Sequence, residues 1–203
     1  MQKIQNIIFD LGGVLLNIDF HLSEKAFEQM GVENFKAFFN QFHSNELFKK
    51  LETGMDVDLF YDEFRSTTNT TLSNNQIKEA WNALLLNFRH ESIKALPFLR
   101  SKYNLYVLSN TNEIHLQEFQ KRFTKEMQLS SFDDLFDAAY YSHRIGFRKP
   151  NADAFQFVLE KHQLIAEETL FIDDSINNIE TAQQLHLQTI HLLPQMKIEE
   201  LGL

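Results

Sequence analysis

Four separated segments of the chain place a reactive side chain directly or shortly after a short apolar run. Asp10 follows "NIIF", Ser109 follows "LYVL", and the pair Asp173–Asp174 follows "LFI". Lys149 comes shortly after "AAYY", within "RIGFRKP". Together they supply carboxylates, a hydroxyl and an ammonium group, which are the groups that phosphoryl chemistry requires.

Asp10 is the predicted nucleophile of this set. A carboxylate that attacks phosphorus forms an aspartyl-phosphate, which water then hydrolyses. Lys149 would supply positive charge for the phosphoryl group or for the nucleophile itself. We expect the Ser109 hydroxyl and the backbone N–H groups of Asn110 and Gly13 to bind the phosphoryl oxygens.

The three carboxylates Asp10, Asp173 and Asp174 predict a bound cation. Carboxylates that lie close together repel one another and have raised pKa values unless a cation sits among them. The chain contains no cysteine, so no thiolate ligand competes with these oxygen ligands. Oxygen ligands favour Mg2+, which binds one or two carboxylates together with water and substrate phosphate.

Short apolar runs predict the strands that would position these side chains. The runs are rich in β-branched and aromatic residues, which favours parallel strands that are buried on both faces. They are Ile7–Phe9, Leu105–Leu108, Ala138–Tyr141, Leu170–Ile172 and Thr189–Leu193. The carboxyl ends of parallel strands lie at one edge of a sheet, so the four segments would meet in one crevice there.

Amphipathic helices are expected between the later strands. "NADAFQFVLEKH", just after Pro150, and "SINNIETAQQLH" both repeat apolar residues at helical spacing. Strands that alternate with helices predict an α/β fold, a Rossmann-like doubly wound parallel sheet.

The interval between the first two strands has no strong strand run. It predicts helices over Ser23–Met30, Asn34–Phe42, Ser44–Leu51, Asp56–Arg65 and Ser73–Phe88, the last beginning at the capping box "SNNQ". Phenylalanine residues at helical spacing here, with Trp81, are expected to form its core: Phe27, Phe38, Phe39, Phe60 and Phe64. We therefore predict a catalytic core of residues 1–15 and 88–203 and an inserted all-helical cap of residues 16–87.

Composition narrows the class of protein. The chain has 203 residues, a hydrophobic fraction of 43% and a formal net charge of −9. This acidity argues against nucleic-acid partners, because phosphate backbones would be repelled. No apolar stretch approaches the ~18 residues of a membrane span, and the N-terminus lacks the shape of a signal peptide. We expect a soluble cytoplasmic protein whose partner is a small phosphate ester.

Four segments of the chain resemble the four motifs of the haloacid dehalogenase-like hydrolase superfamily. They are "FDLGGVLLNID", "VLSNTN", "RKPNADAF" and "LFIDDSINNIETA". The resemblance implies a Rossmann-like core with a helical cap, and Mg2+ in the phosphatase branches. It also implies that the Gly12 carbonyl and Asp174 bind the metal, with Asp173 as a ligand or a water-mediated neighbour. Asn178 would support the acidic pair.

Gly12 departs from the usual pattern of the phosphatases in this superfamily. A second aspartate normally stands there, protonating the leaving group and then activating water, and glycine can do neither. General acid–base assistance is worth roughly 10²–10⁴ in rate. "DLGGVLLNIDF" is similar to the corresponding segment of bacterial α-glucose-1-phosphate phosphatases, which share the glycine and release an acidic anomeric hydroxyl. Alternatively Asp19, His21 or His115 could replace the missing acid.

Two other functions stay open at this stage. A metal-independent dehalogenase-type hydrolase also lacks that aspartate, because halide needs no proton. However, dehalogenases typically carry a tyrosine at this position and an arginine shortly after the nucleophile, and this sequence has neither. A non-catalytic protein of the same fold that binds a phosphorylated ligand is the second alternative. The phosphatase is favoured over both.

Overall fold

The computed structural model describes residues 3–33, 35–40 and 43–203. In chain order, the strands are β1 (Asn6–Phe9), β2 (Leu16–Ile18), β3 (Phe39–Asn40), β4 (His43–Ser44), β5 (Leu85–Phe88), β6 (Asn104–Ser109), β7 (Ala138–Tyr141), β8 (Thr169–Asp173) and β9 (Gln188–His191). The helices are α1 (Phe20–Gln29), α2 (Phe35–Phe38), α3 (Glu46–Glu52), α4 (Val57–Thr68), α5 (Asn74–Asn82), α6 (His90–Arg100), α7 (Glu113–Met127), α8 (Ser142–Ile145), α9 (Ala152–His162) and α10 (Ile176–Gln184).

A parallel five-stranded sheet in the order β7-β6-β1-β8-β9 forms the centre of the structure. Strand β1 lies in the middle, with Ile7 opposite Leu105 on one side and Leu170 on the other. The predicted strands are confirmed, although β9 ends at His191 and the prediction ran on to Leu193. Because the sheet is parallel, Asp10, Ser109 and Asp173 all lie at its carboxyl edge.

Alternate residues of the central strands face two different helical layers. Ile8 packs with α9 and α10, whereas Ile7 and Phe9 belong to a second cluster that includes α6 and α7. The second cluster continues into the inserted segment and includes Phe27, which is fully buried. Helices thus cover both faces of the sheet, which confirms the doubly wound α/β fold.

The core of the inserted segment is aromatic. Phe27 stacks on Phe35 with ring centroids 4.3 Å apart, and Trp81 packs against Phe48 at 4.7 Å. The expected core residues Phe27, Phe60, Phe64 and Trp81 are all buried. The side chains of Phe38 and Phe39 lie outside what the structure describes.

Two predicted helices of the insert are shorter than expected. The helix expected over Ser73–Phe88 begins with the predicted capping box but ends at Asn82, and residues 85–88 form strand β5. The helix expected over Asn34–Phe42 covers Phe35–Phe38 and gives way to β3, while Asn34, Gln41 and Phe42 lie outside the described residues. The insert is therefore mainly helical rather than all-helical.

Strands β2 and β5 pair antiparallel where the chain enters and leaves the inserted segment. Leu16 lies opposite Phe88, and Ile18 lies opposite Leu85. The division into residues 1–15 with 88–203 and residues 16–87 stays a prediction; β2 begins at its first boundary and β5 crosses its second. No helix in the described part of the chain is long and apolar enough to cross a membrane.

Candidate active site

Asp10 begins a tight loop that leaves strand β1. Its N–H donates to the Ile172 carbonyl at 2.9 Å, which holds the residue to the end of the sheet. The Leu11 carbonyl then accepts hydrogen bonds from several N–H groups further along the loop, including that of Leu16 at 2.9 Å. The N–H groups of Leu11 and Gly12 donate to no group within the described ranges, so this loop presents two uncommitted donors next to Asp10.

Lys149 joins two of the carboxylates. Its ammonium Nζ lies 2.7 Å from Asp10 Oδ1 and 2.7 Å from Asp173 Oδ2. The Lys149 side chain is only 1% exposed, and that of Asp10 is 13% exposed. Burial by itself lowers the pKa of Lys149, but the two carboxylates outweigh it and raise that pKa above its ordinary value. The lysine therefore stays charged between them.

Asp173 holds the surrounding elements together. Besides Lys149, it accepts hydrogen bonds from the Asn178 side chain at 3.0 Å and from the Ser175 N–H at 2.8 Å. Asp173 is fully buried, and both of its oxygens are engaged. Asn178 therefore contacts one member of the acidic pair, and Asp173 links α10 to Lys149.

The segment after β6 fixes the backbone of Lys149. The Asn110 side chain donates to the Lys149 carbonyl at 2.7 Å and accepts from the Lys149 N–H at 2.8 Å. The Ser109 hydroxyl and the Asn110 N–H have no partner in the part of the chain that the structure covers, and both residues line the same cavity as Asp10. These two groups are available to an anionic ligand.

Gly13 lets the Asp174 carboxylate approach the loop that follows β1 and begins at Asp10. Its φ is +72°, and a Cβ there would lie 2.6 Å from Asp174 Cγ, so no larger residue fits without displacing that carboxylate. The Gly13 N–H donates to the Leu16 carbonyl at 2.8 Å. This differs from the role expected from the sequence, because that N–H is not free to bind a phosphoryl oxygen.

Gly12 is covered by an apolar side chain. A Cβ at this position would lie 2.9 Å from Cδ1 of Ile18, which also lines the cavity. An aspartate at residue 12 would therefore require Ile18 to move. The Gly12 carbonyl accepts no hydrogen bond from any residue that the structure describes, and it is available as a metal ligand.

Three carboxylates form a cluster at the sheet edge. One oxygen each of Asp10, Asp173 and Asp174 lie within 4.8 Å of one another. Burial, and the charges of the other two carboxylates, raise the pKa of Asp10 to about 7, although Lys149 opposes the shift. Burial and the charge of Asp173 raise the pKa of Asp174 to about 6. A cation bound beside Asp10 and Asp174 would lower both pKa values and favour their ionised forms.

The donor set fits a magnesium ion. Asp10 and Asp174 offer carboxylate oxygens that no hydrogen bond fully occupies, and Gly12 adds a free carbonyl. Oxygen ligands with few protein carboxylates and room for water are what Mg2+ prefers. Asp173 is already saturated by Lys149, Asn178 and Ser175, so it fits a supporting role better than a direct ligand.

A cavity of about 340 Å³ opens in front of these groups. The inserted segment supplies part of its wall through Lys49, Glu52 and Trp81, and Arg148, which directly precedes Lys149, also lines it. Glu52 and Arg148 were not among the residues predicted from the sequence. Arg148 could have been considered because it directly precedes Lys149, but its partner Glu52 is 96 residues away along the chain.

The three candidates for a replacement acid lie in different places. Asp19 caps helix α1 by accepting the His21 N–H at 3.0 Å, and neither residue lines the cavity. His115 does line it, with Nδ1 2.9 Å from Asn82 Oδ1 and its ring stacked on Trp81. Burial, with a smaller effect of Arg122, lowers the pKa of His115 to about 3, so the imidazole is neutral and is a poor proton donor.

A comparison with known protein families identifies the chain. Residues 4–186 match the model of the haloacid dehalogenase-like hydrolases. The chain belongs to this family. The predicted family is thus confirmed.

Relatives within the haloacid dehalogenase-like family match the chain almost end to end. A D-ribitol-5-phosphate phosphatase from Bacteroides thetaiotaomicron is 30% identical over 191 residues, which cover 92% of this chain and 90% of the relative. The HAD family enzyme BT-2542 from the same organism, solved with magnesium and inorganic phosphate, is 32% identical with a TM-score of 0.88, over 98% of this chain and 100% of that one. A predicted HAD-like hydrolase from Porphyromonas gingivalis is 31% identical with a TM-score of 0.86, over 96% and 94%.

These comparisons agree with the enzyme class predicted from the sequence, a phosphoric monoester hydrolase of this family. The magnesium and phosphate bound to BT-2542 agree with the predicted cofactor and ligand. The finer likeness to α-glucose-1-phosphate phosphatases stays a prediction.

Proposed function

We propose that this protein is a magnesium-dependent phosphatase that hydrolyses a small phosphorylated metabolite, a sugar or polyol phosphate, through an aspartyl-phosphate on Asp10. The observation that carries the proposal is the Lys149 ammonium, buried between Asp10 and Asp173 at 2.7 Å from each. It holds one oxygen of Asp10, while the other oxygen takes no hydrogen bond from the described residues and is available for attack.

The first step transfers the phosphoryl group to the enzyme. An Asp10 oxygen forms a bond to phosphorus while the ester P–O bond breaks, and the leaving alkoxide takes up a proton. Water then attacks the acyl-phosphate, which releases inorganic phosphate and regenerates the Asp10 carboxylate. Lys149 keeps Asp10 oriented, and its charge favours the carboxylate form against the burial that raises the pKa of Asp10.

The phosphoryl oxygens would be bound by groups that have no other partner. These are the Ser109 hydroxyl and the N–H groups of Asn110, Leu11 and Gly12. Fixed donors aimed at an anionic centre stabilise the charge that develops in transfer. Asp10, Asp174 and the Gly12 carbonyl would hold Mg2+, which when bound supplies further positive charge to the phosphoryl oxygens.

The leaving group of the substrate determines whether the reaction needs an acid at residue 12. A sugar 1-phosphate releases an anomeric hydroxyl that needs little protonation. The curated relative acts on D-ribitol 5-phosphate, whose leaving group is an ordinary primary alkoxide. If this chain acts on the same type of ester, a water molecule or another group must deliver the proton, because Gly12 carries no side chain and His115 is neutral.

A phosphate-release screen tests the proposed function. Sugar 1-phosphates, terminal sugar phosphates and pentitol phosphates would be compared with Mg2+ present and after chelation. We expect release that depends on Mg2+ and is lost by at least about 10³-fold in Asp10→Asn. The matched control is Asp62→Asn, an exposed cap aspartate outside the cavity, which should keep its rate.

Each alternative function predicts a different outcome of this screen. Phosphate release that persists after chelation would contradict the magnesium dependence, and metal-independent release of halide from a haloacid would favour the dehalogenase-type enzyme. Ligand binding without release of phosphate from any ester would favour the non-catalytic protein. A preference for 1-phosphates over terminal phosphates would support the leaving-group argument, and the reverse would indicate an acid from elsewhere in the cavity.

A further inference from the structure

A buried ion pair connects the inserted segment to the catalytic core inside the cavity. Glu52 is the last residue of α3, and its Oε2 accepts a hydrogen bond from Arg148 Nε at 2.8 Å and lies 2.8 Å from Arg148 Nη2. The side chains are 9% and 22% exposed, and both residues line the cavity. Arg148 directly precedes Lys149, so this pair stands next to the phosphate-binding groups.

Only one oxygen of Glu52 is used. Both contacts from Arg148 go to Oε2, and no residue in the described ranges donates to Oε1. Because Glu52 lines the cavity, its remaining oxygen can accept hydrogen bonds from a ligand there. Arg148 Nη1 likewise has no partner among the residues described.

The position of Glu52 is unfavourable for stability alone. A carboxylate at the C-terminal end of a helix faces the negative end of the helix dipole, and a buried carboxylate also loses its hydration. Burial raises the pKa of Glu52, although Arg148 opposes this shift. An apolar residue would fill this place at lower cost, so a carboxylate here suggests a role in binding.

The end of α3 is also held close to the core. Gly54 has a φ of +106°, and a Cβ at this residue would lie 2.9 Å from the backbone oxygen of His143. Only glycine permits this close approach of the α3–α4 loop to α8. The Glu52 carboxylate is therefore presented by a segment that is packed directly against the catalytic core.

We propose that Glu52, oriented by Arg148, is a specificity-determining residue that accepts hydrogen bonds from the hydroxyl groups of a polyhydroxylated phosphate ester. This inference rests on the proposed function and names the part of the substrate that the inserted segment recognises. A carboxylate with a free oxygen beside an arginine suits a chain of neutral hydroxyls. It disfavours a ligand with its own carboxylate, which Glu52 would repel, and an apolar chain, which would leave the buried pair unsolvated.

The test compares two esters that share a leaving group. Ribitol 5-phosphate and n-pentyl phosphate both release a primary alkoxide, but only the first carries further hydroxyls. We expect the wild-type protein with Mg2+ to prefer the pentitol ester. Glu52→Gln should lower kcat/KM for ribitol 5-phosphate by roughly 10- to 100-fold, the loss expected for a hydrogen bond to a charged group. Its kcat/KM for pentyl phosphate should change by less than about 3-fold, because that ester makes no such hydrogen bond.

Two further variants separate recognition from packing. Arg148→Gln should shift the ratio of the two kcat/KM values in the same direction as Glu52→Gln. Glu63→Gln, at a half-exposed cap glutamate outside the cavity, should leave the ratio unchanged. The ratio does not depend on the fraction of folded enzyme, because both esters report on the same folded molecules.

Several outcomes would overturn the inference, and a third substrate tells them apart from failure of the proposed function. Equal losses on both esters in Glu52→Gln would make the pair structural only. Wild-type hydrolysis of p-nitrophenyl phosphate with no preference for the pentitol ester would overturn the inference and leave the proposed function standing. A wild-type protein that releases no phosphate from any of the three esters would overturn both.

Discussion

At the scale of single residues, the site depends on charges that are buried together and on one glycine that makes room for them. Lys149 is held by two carboxylates in an environment that water scarcely reaches. Gly13 leaves space for the Asp174 carboxylate beside the loop that begins at Asp10. Substitutions at these two positions should therefore disturb both stability and metal binding.

Replacement of Lys149 by methionine should be strongly destabilising. It removes the only cation that contacts Asp10 and Asp173 in the described structure, and it leaves two buried carboxylates facing each other. Breaking a buried ion pair in this way costs about 3–5 kcal/mol of unfolding free energy. Urea unfolding without Mg2+ measures the change. Lys94→Met, at an exposed ion pair, should cost less than about 1 kcal/mol, and equal losses would contradict the prediction.

Gly13→Ala should weaken metal binding as well as stability. Gly13 and Gly31 both have positive φ, +72° and +86°, so alanine is strained at either position by about 1–2 kcal/mol. Only Gly13 has a neighbour where the new Cβ would lie, namely the Asp174 carboxylate. Calorimetric titration with Mg2+ should show at least about tenfold weaker binding in Gly13→Ala, because a supporting or ligating group is displaced.

Gly31→Ala is the matched control for that measurement. No atom of the described residues lies within 4 Å of its Cβ position, so Mg2+ affinity should stay at the wild-type value. Equal Mg2+ affinities in the two variants would contradict the role assigned to Gly13.

At the scale of elements, tertiary contacts decide where the helices of the inserted segment end. Ser23 on α1 is buried, and its hydroxyl donates to the Trp81 carbonyl at 2.8 Å and accepts from the Leu84 N–H at 3.1 Å. It thereby satisfies the backbone where α5 stops and the chain turns into β5. The spacing of Trp81 and Leu85 fits a continuing helix. For this reason the helix predicted from the sequence extends beyond the observed end of α5.

Ser23→Ala should destabilise this junction. Two buried backbone groups would lose their partner, which costs about 1–3 kcal/mol. Chemical denaturation gives the difference. Ser66→Ala, on the exposed face of α4, should stay within about 0.5 kcal/mol of wild type, and a similar small effect at Ser23 would contradict the assignment.

At the scale of the whole molecule, the inserted segment and the catalytic core share one continuous buried cluster and one cavity. His115 of α7 meets Asn82 and Trp81 of α5 at that junction. Its burial, beside the positive charge of Arg122, holds its pKa near 3, against an ordinary value of 6.5. The stability of the assembled molecule should thus depend on the protonation of His115.

The sign of this dependence follows from the depressed pKa. Below pH 6.5 the unfolded chain binds a proton at His115 that the folded protein does not bind until about pH 3. The stabilising contribution of the neutral imidazole should therefore fall by about 1.4 kcal/mol per pH unit between roughly pH 6 and pH 4. The loss of unfolding free energy caused by His115→Gln should be largest near pH 7 and shrink as the pH falls.

Urea unfolding of wild type and His115→Gln over this pH range measures the effect. The difference between the two proteins cancels the contributions of the carboxyl groups they share. A difference independent of pH would contradict the prediction.

The sequence by itself determined the fold class and was sufficient to propose the residues of the candidate site. Apolar runs buried on both faces form parallel strands whatever else surrounds them, and a parallel sheet brings its carboxyl ends to one edge. Asp10, Ser109, Lys149 and the Asp173–Asp174 pair could therefore be expected together before any contact was known.

Only the tertiary structure decided the details that depend on distant partners. No periodic pattern in the sequence indicates these contacts. They include the pairing of β2 with β5, the hydrogen bond of the Gly13 N–H to Leu16 and the ion pair of Glu52 with Arg148. A hydrogen bond or ion pair between remote residues depends on distance and burial, and one sequence encodes neither locally. For that reason the residues of the candidate site could be proposed from the sequence motifs. The contacts within the cavity wall, such as that of Glu52 with Arg148, could be identified only from the folded structure.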